Sequence, residues 1–491
     1  MTTARVRPIR ETIEHERVTH RGDRLVTMTD LSELARRHLW MHFTPLTSGA
    51  AGAPEVPVIV SGDGCYVTDR HGKRYLDGLA GLFTVQVGHG RAELADAAAE
   101  QARKLAYFPV WSFAHEPAIV LAERLASYAP GDLNRVFLTP TGGDAVESAI
   151  KLSRQYWKLM GQPGKTKVIS RYLAYHGTSI GALSLTGVPG IKTPFEPLMP
   201  GAVKVQTPYR FRCHDCEHLD ACTLRCADDL ALRIEMEGPD SVAAVFMEPV
   251  QNTGGAFVPP EGYFARVRQI CDQYGVLFVS DEVISAFGRF GHMFGSLRYD
   301  YQPDMITFAK GVTSGYSPLG GLMISDRIAE PFLDAPTPFL QGQTFGAHPV
   351  SCAVANANLD VLEREDICGH VLANEERFKS LLNGLRDIPL VGDVRGAGYF
   401  YAIELVPDGG SRQSGAGRGV FTADQAEWLL RGYLSPRLYE AGLICRADDR
   451  GEPVITLSPP LIAGAEEFVF IESVLRSVLT DATTEWSNRN A

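Results

Sequence analysis

Two short apolar runs, each closed by a charged residue, restrict what this chain can become. Val276, Leu277, Phe278 and Val279 stand just before Ser280 and Asp281, and Met305, Ile306, Thr307 and Phe308 stand just before Ala309 and Lys310. Both runs are too short for helices and lack polar alternation, so they read as strands buried on both faces. Such strands belong to parallel sheets, whose crossovers are helices. The pattern recurs. Arg135 to Leu138, Lys167 to Ser170 and Val242 to Met247 read as further strands, and Gly262 to Tyr274 as an amphipathic helix leading into the Asp281 strand. The expected fold is α/β with a mostly parallel sheet. Asp281 and Lys310 then sit at the carboxyl ends of strands, where open α/β sheets bind ligands.

An acid and an amine in one crevice suit pyridoxal phosphate. Lysine forms a Schiff base with the aldehyde of that cofactor, and a carboxylate that keeps the pyridine nitrogen protonated turns the ring into an electron sink. A buried Asp–Lys ion pair is the alternative, at the cost of desolvation. A phosphate also needs a cradle, and TPTGGDAVESAIKLSRQYW follows the strand at Arg135 with a glycine turn and a helix. Free N–H groups at a helix amino terminus hold phosphate, so Thr141, Gly142 and Gly143 are the candidate cup. Thr141 serving only as an N-cap is the alternative.

Length and charge narrow the class. At 491 residues the chain has room for two domains and a large core. A formal charge of −11 argues against a nucleic-acid or anionic-membrane surface. No apolar run approaches the roughly 18 to 20 residues of a membrane span, and the first ten residues lack the apolar core of a signal peptide, so the expected location is cytoplasmic. Residues up to about Asp30 read as a loosely held arm, followed by a short helix in LSELARRHLWMHFT and a small β-meander from Val56 to Asp77. The expected domains are 1–75 (arm and part of a small domain), 76–345 (large domain) and 346–491 (the rest of the small domain).

Nine cysteines scattered through a chain of this size are not a disulfide framework. Cys213, Cys216, Cys222 and Cys226, near 209–230, have the spacing C-x2-C-x5-C-x3-C, with His214 and His218 beside them. Structural zinc, reduced thiols or an adventitious disulfide, and an iron–sulfur cluster all remain open for this insertion.

SDEVISAFGRFG followed by PDMITFAKGVTSGYSPLGG resembles the signature of the class III pyridoxal-phosphate aminotransferases, the ω-transaminase group. The resemblance runs from about Leu34 to Leu479. It implies fold type I: a large domain with a mostly parallel seven-stranded sheet, a smaller α/β domain, and a homodimer with shared active sites. It implies that Lys310 anchors the cofactor and moves a proton, and that Asp281 holds the ring nitrogen. Tyr175, in a tyrosine-histidine-glycine triplet, and Val283 would cover the two faces of the ring. Glu248 and Gln251 match the family pattern, and Glu248 is a cofactor-site candidate. Thr344 would reach the cofactor phosphate of the partner subunit. Gly143 replaces the last serine of the family's cup, shifting weight to main-chain donors. Phe43 and Phe83 match pocket aromatics, Arg395 a carboxylate-binding arginine, and Arg446 the mobile arginine of ω-transaminases. Thr253 stands where ornithine-type members carry the glutamate that pairs with the counterpart of Arg395, pointing away from that branch. The implied activity is ping-pong transfer of an amino group from an amine or ω-amino acid to a keto acid, with pyruvate as acceptor. An aminomutase or a decarboxylating aminotransferase is the alternative outcome of the same cofactor chemistry.

Overall fold

The structure, a computed structural model, describes residues 28–44, 55–213, 216, 221–407, 419–449 and 453–490. The chain divides into two compact units, Met1–Ser61 with Thr68–Lys73, and Gly62–Val67 with Arg74–Ala491. In the first unit, helix Met28–His38 ends in the basic run Arg36, Arg37 and His38, which suits the negative end of its dipole. Ser32 donates to the carbonyl of Val56 at 3.3 Å. The carboxylate of Asp69 accepts from the N–H groups of His71 and Lys73 at 2.9 Å each, closing a tight turn.

In the second unit the strands of the main sheet lie in the order Arg135–Thr139, Gly320–Ile324, Met305–Phe308, Leu277–Asp281, Val242–Met247, Lys167–Arg171 and Ala202–Val205. Gly320–Ile324 runs antiparallel to both neighbours, and every other pairing is parallel. Every residue of Val242–Met247, Leu277–Asp281 and Met305–Phe308 is buried, as the unbroken apolar runs require. On one face, helix Gly142–Leu159 packs Val146, Ala149, Ile150, Tyr156 and Trp157 against the sheet. On the other, helices Arg225–Glu237 and Tyr263–Tyr274 bury Leu230, Ile234, Val267 and Ile270. Each such side chain contributes about 1.5–3 kcal/mol by leaving water. A second, antiparallel sheet follows in the order Val391–Ala397, Phe400–Leu405, Pro453–Leu457 and Arg446–Asp449.

The sequence pattern marks helices from Asp424 to Ala441 and from Glu466 to Leu479, and both differ in the structure. The last helix runs Ala465–Asn490 rather than stopping at Leu479, because Ala482 and Trp486 continue its buried stripe. The expected helix from Asp424 to Ala441 contains a π-turn over Trp428–Leu434 ahead of Ser435–Glu440. Pro436 has no N–H to give, and the wider turn before it accommodates the missing ladder bond.

The cysteine-rich insertion carries no support for zinc or an iron–sulfur cluster. All nine cysteines are free, and among the described residues no group of three or more His, Cys, Asp or Glu side chains is placed to hold a metal. His214 and His218 lie outside the described residues. Cys216 and Cys222 approach to 3.5 Å between sulfurs. Cys226 is buried on helix Arg225–Glu237, and burial, assisted by the neighbouring Cys222, pushes its thiol up to about 12. Cys226 packs in the same core cluster as Leu230 and Ile234, as a small buried side chain. Among the described residues no helix is long and apolar enough to cross a membrane.

Candidate active site

Asp281 ends its strand in register with Thr307 of the neighbouring strand. Thr307 Oγ1 donates to Asp281 Oδ1 at 3.1 Å, and the Val283 N–H donates to the same oxygen at 3.2 Å. His176 Nδ1 donates to Oδ2 at 2.6 Å. Three donors therefore fix a carboxylate that is only 4% exposed. Strand ends align because parallel pairing sets a common register, which is why two residues 29 positions apart in sequence share one crevice.

Lys310 opens a 3₁₀ turn, Lys310–Val312, with φ of +45°. That backbone conformation is strained for lysine and persists because its surroundings hold it. Asn358 Nδ2 donates to the carbonyls of Gly311 at 2.9 Å and Val312 at 3.1 Å. The Lys310 amine lies 4.9 Å from the centre of the Phe83 ring. Burial pulls it down to about 7, with Arg446 and Arg289 acting in the same direction and Asp281 opposing. A large fraction of the amine is therefore neutral near pH 7, as a nucleophile or proton acceptor must be.

The third component is the start of helix Gly142–Leu159, capped by Thr141, whose hydroxyl accepts from the Asp144 N–H at 3.2 Å and donates to its carboxylate at 2.7 Å. Gly142 and Gly143 hold the first two helical positions, and among the described residues their N–H groups meet no acceptor. A Cβ on Gly142 would meet both Val283 methyl groups at 2.9 Å and Ala309 at 3.3 Å. The cup thus touches the wall next to Asp281 and the residue before Lys310. Ser179 Oγ lies 3.8 Å from where a Gly143 Cβ would stand, close to the position left without a hydroxyl. A buried carboxylate, an amine with a lowered proton affinity and two orphaned N–H donors at a long helix terminus fit pyridoxal phosphate: acid for the ring nitrogen, amine for the aldehyde, donors for the phosphate.

The remaining candidates separate. Phe83 is 1% exposed, and both Lys310 and Arg446 lie over its ring, the Arg446 guanidinium carbon 5.0 Å from the ring centre. Arg446 also donates to Asn252 Oδ1 at 3.3 Å. Glu248 accepts from the N–H groups of Tyr175 at 3.4 Å and Asn252 at 3.2 Å, so it braces the Tyr175 segment. Burial raises its carboxyl, while His176 and Arg171 oppose. Arg395, expected from the resemblance as a substrate residue, is committed to the protein. It binds Glu404 at 2.5 Å, Asp393 at 3.2 Å, and the carbonyls of Gly254 at 2.8 Å and Gly255 at 2.5 Å. Glu404, on the adjacent strand, takes the charge that the ornithine-type glutamate would take at Thr253. Thr344 is exposed, and its carbonyl accepts from Tyr107 at 2.7 Å; it stands apart from this cluster. Phe43 belongs to the first unit, 59% exposed with φ of +52°. His176 is the middle residue of the tyrosine-histidine-glycine triplet and Ser179 follows it by two positions, yet nothing in the sequence pattern marks either as a site residue.

The sequence profile of the class-III aminotransferases matches residues 49–479. A Mycobacterium tuberculosis protein named "Probable aminotransferase" is 56% identical over 451 residues, 92% of this chain and 94% of its own. The putrescine–pyruvate aminotransferase of Pseudomonas aeruginosa is 36% identical over 424 residues, 86% of this chain and 90% of its own. Among solved structures, the ω-transaminase of Pseudomonas jessenii in complex with PMP superposes with a TM-score of 0.84 at 32% identity, covering 93% of this chain and 98% of that one.

Proposed function

Because this chain belongs to the class-III aminotransferase family, we propose that it moves the amino group of an amine or ω-amino acid onto pyruvate, in two half-reactions of ping-pong type. Its fold is fold type I, and pyridoxal phosphate is the cofactor of its family. When bound, that group supplies an aldehyde to carry nitrogen and a ring to accept electrons. The chain's own residues do the rest. Lys310, whose amine burial draws down to about 7, takes a proton from the substrate carbon and returns it. Asp281, clamped by Thr307, Val283 and His176, holds the ring nitrogen and stabilises charge that develops during the proton transfer. Gly142 and Gly143 receive the phosphate, with Thr141 and Ser179 beside them. Tyr175 and Val283 cover the ring faces.

The observation that carries the substrate reading is the pairing of Arg446 and Lys310 about the Phe83 ring, while Arg395 is taken up by Glu404. One guanidinium then serves the pocket. It can grip a keto-acid carboxylate through two parallel hydrogen bonds and release it for an apolar or cationic donor against Phe83. A relative named for putrescine and pyruvate supports the same pair of classes. We further propose a homodimer in which Thr344 of each copy reaches the partner's phosphate site.

A donor panel with pyruvate as acceptor, read as alanine formed, tests the reading: amines and ω-amino acids should turn over, and Lys310→Ala should abolish transfer. Product formation without any added keto acid, beyond one equivalent per site, would instead assign aminomutase chemistry, and carbon dioxide released in step with alanine would assign a decarboxylating aminotransferase.

A further inference from the structure

Arg289, within the SAFGRFG stretch, has no exposed surface, and among the described residues no carboxylate comes within ion-pair distance of it. A charge so buried is costly, so its retention calls for a reason. Its hydrogen bonds supply one. NH1 donates to the carbonyls of Tyr399 at 3.1 Å and Pro459 at 2.6 Å, in two segments that flank the second sheet. NH2 donates to Gln86 Oε1, and Gln86 Nε2 donates to the Ala286 carbonyl at 3.4 Å. The amide of Gln86 lies directly against the Lys310 turn: a Cβ on Gly311 would meet Gln86 Nε2 at 2.7 Å. The backbone closes the loop, since the Tyr399 N–H donates to the Arg289 carbonyl at 3.0 Å and the Leu461 N–H to the Gln86 carbonyl at 2.8 Å.

We propose that Arg289 is a positioning residue for Lys310: through Gln86 it braces the strained Lys310–Gly311 turn, fastens that turn to Tyr399 and Pro459, and presents to the amine a buried cation with no carboxylate within ion-pair distance among the described residues. The inference rests on the reading of Lys310 as the cofactor anchor. Three charged groups face Lys310: Arg446 and Arg289 disfavour its protonation, and Asp281 favours it, all on top of burial. Burial draws the Arg289 guanidinium itself down to about 9, with Asp77 and Tyr399 opposing, so it remains charged at neutral pH. Asp77 is already engaged, accepting from the N–H groups of Leu79 and Gly81 and from His89. The brace gives the turn its geometry, and the charge adds to the larger effect of burial on the amine.

The test uses the full chain, wild type and with Arg289→Gln, Arg289→Lys or Gln86→Leu. Trace acetylation of Lys310 across pH, read by peptide mass spectrometry on cofactor-free protein, should give a midpoint near 7 in the wild type. The midpoint should move up in Arg289→Gln while remaining below the ordinary lysine value, because burial is unchanged, and should stay near the wild-type value in Arg289→Lys and Gln86→Leu. On protein loaded with pyridoxal phosphate, loss of cofactor during dialysis should be roughly tenfold faster in all three variants, because none keeps the fork that spans Gln86 and both carbonyls. An unmoved midpoint in Arg289→Gln overturns the electrostatic part. Wild-type retention in both Arg289→Lys and Gln86→Leu overturns the brace, and these two variants decide it even where Arg289→Gln fails to fold. If borohydride labels no lysine in the loaded wild type, the cofactor reading falls by itself, while the acetylation midpoints still judge Arg289.

Discussion

At the scale of single residues the chemistry depends on two ionisable side chains whose surroundings were arranged by different means. Asp281 is held by hydrogen bonds, so Asp281→Asn should keep the fold and much of the cofactor while losing the charge. Amino transfer should fall by about 10²–10³-fold, the usual cost of removing one preorganised electrostatic group, and single-turnover rates would measure it. Lys310 is governed by burial, and this has a consequence for stability. Its folded value of about 7 lies below the roughly 10.4 of an unfolded lysine, so between those limits the unfolded chain binds more protons. Stability of the cofactor-free protein from this group therefore rises with pH across that window, and the penalty is complete below it. Lys310→Met should be the more stable protein at pH 7, with its advantage in Tm shrinking toward pH 10. Both positions were legible in the sequence because each follows an apolar run too short to be anything but a buried strand. The His176 bond to Asp281 and the engagement of Arg395 by Glu404 were not, since they join segments that only tertiary packing brings together.

At the scale of elements, close approach explains why the cup starts with glycine. Any Cβ at position 142 would press on Val283 at 2.9 Å, a branched side chain in a packed wall with little room to yield. Gly142→Ala should cost about 1–3 kcal/mol in unfolding and weaken cofactor retention, with urea melts and dialysis as the two readouts. The C-terminal helix gives the complementary case. Trp486 is 7% exposed and packs edge-on against Phe421 at 5.0 Å, a contact between parts of the chain 65 residues apart. Trp486→Ala should cost about 3–5 kcal/mol, measured by the same melts, although it lies beyond the helix end that periodicity marked. The strands read from the sequence are recovered nearly to the residue because an unbroken apolar run ends abruptly, whereas Ala202–Val205 and Gly320–Ile324 are not among them. The last helix was cut short because Thr480, Asp481, Thr483 and Thr484 hide a stripe that Ala482 and Trp486 continue.

At the scale of the whole molecule, surface composition bears on assembly. A groove of about 810 Å³ in the second unit is lined by Val110, Trp111, Ile119, Phe339 and Leu340. Trp111 and Leu340 are 73% and 71% exposed, and Phe113 and Phe345 nearby are also open. A contiguous apolar surface of this kind is disfavoured on a monomer and matches the core of an obligate interface. The loop that supplies Leu340 also carries Thr344, so the same surface that would bury the groove would deliver Thr344 toward another copy. No single periodicity in the sequence marks this face, because its apolar residues come from an irregular stretch at Val110 and Trp111, from the helix Glu116–Tyr128 that carries Ile119, and from the distant loop at Phe339 and Leu340. If a second copy covers the groove, the protein should sediment as a dimer at micromolar concentration. Ile119→Asp with Leu340→Asp, two charges placed in a buried apolar patch, should shift it to monomer and shed cofactor at the same time. A double variant that sediments as a monomer yet keeps its cofactor would show that each chain completes its phosphate site without Thr344 of another.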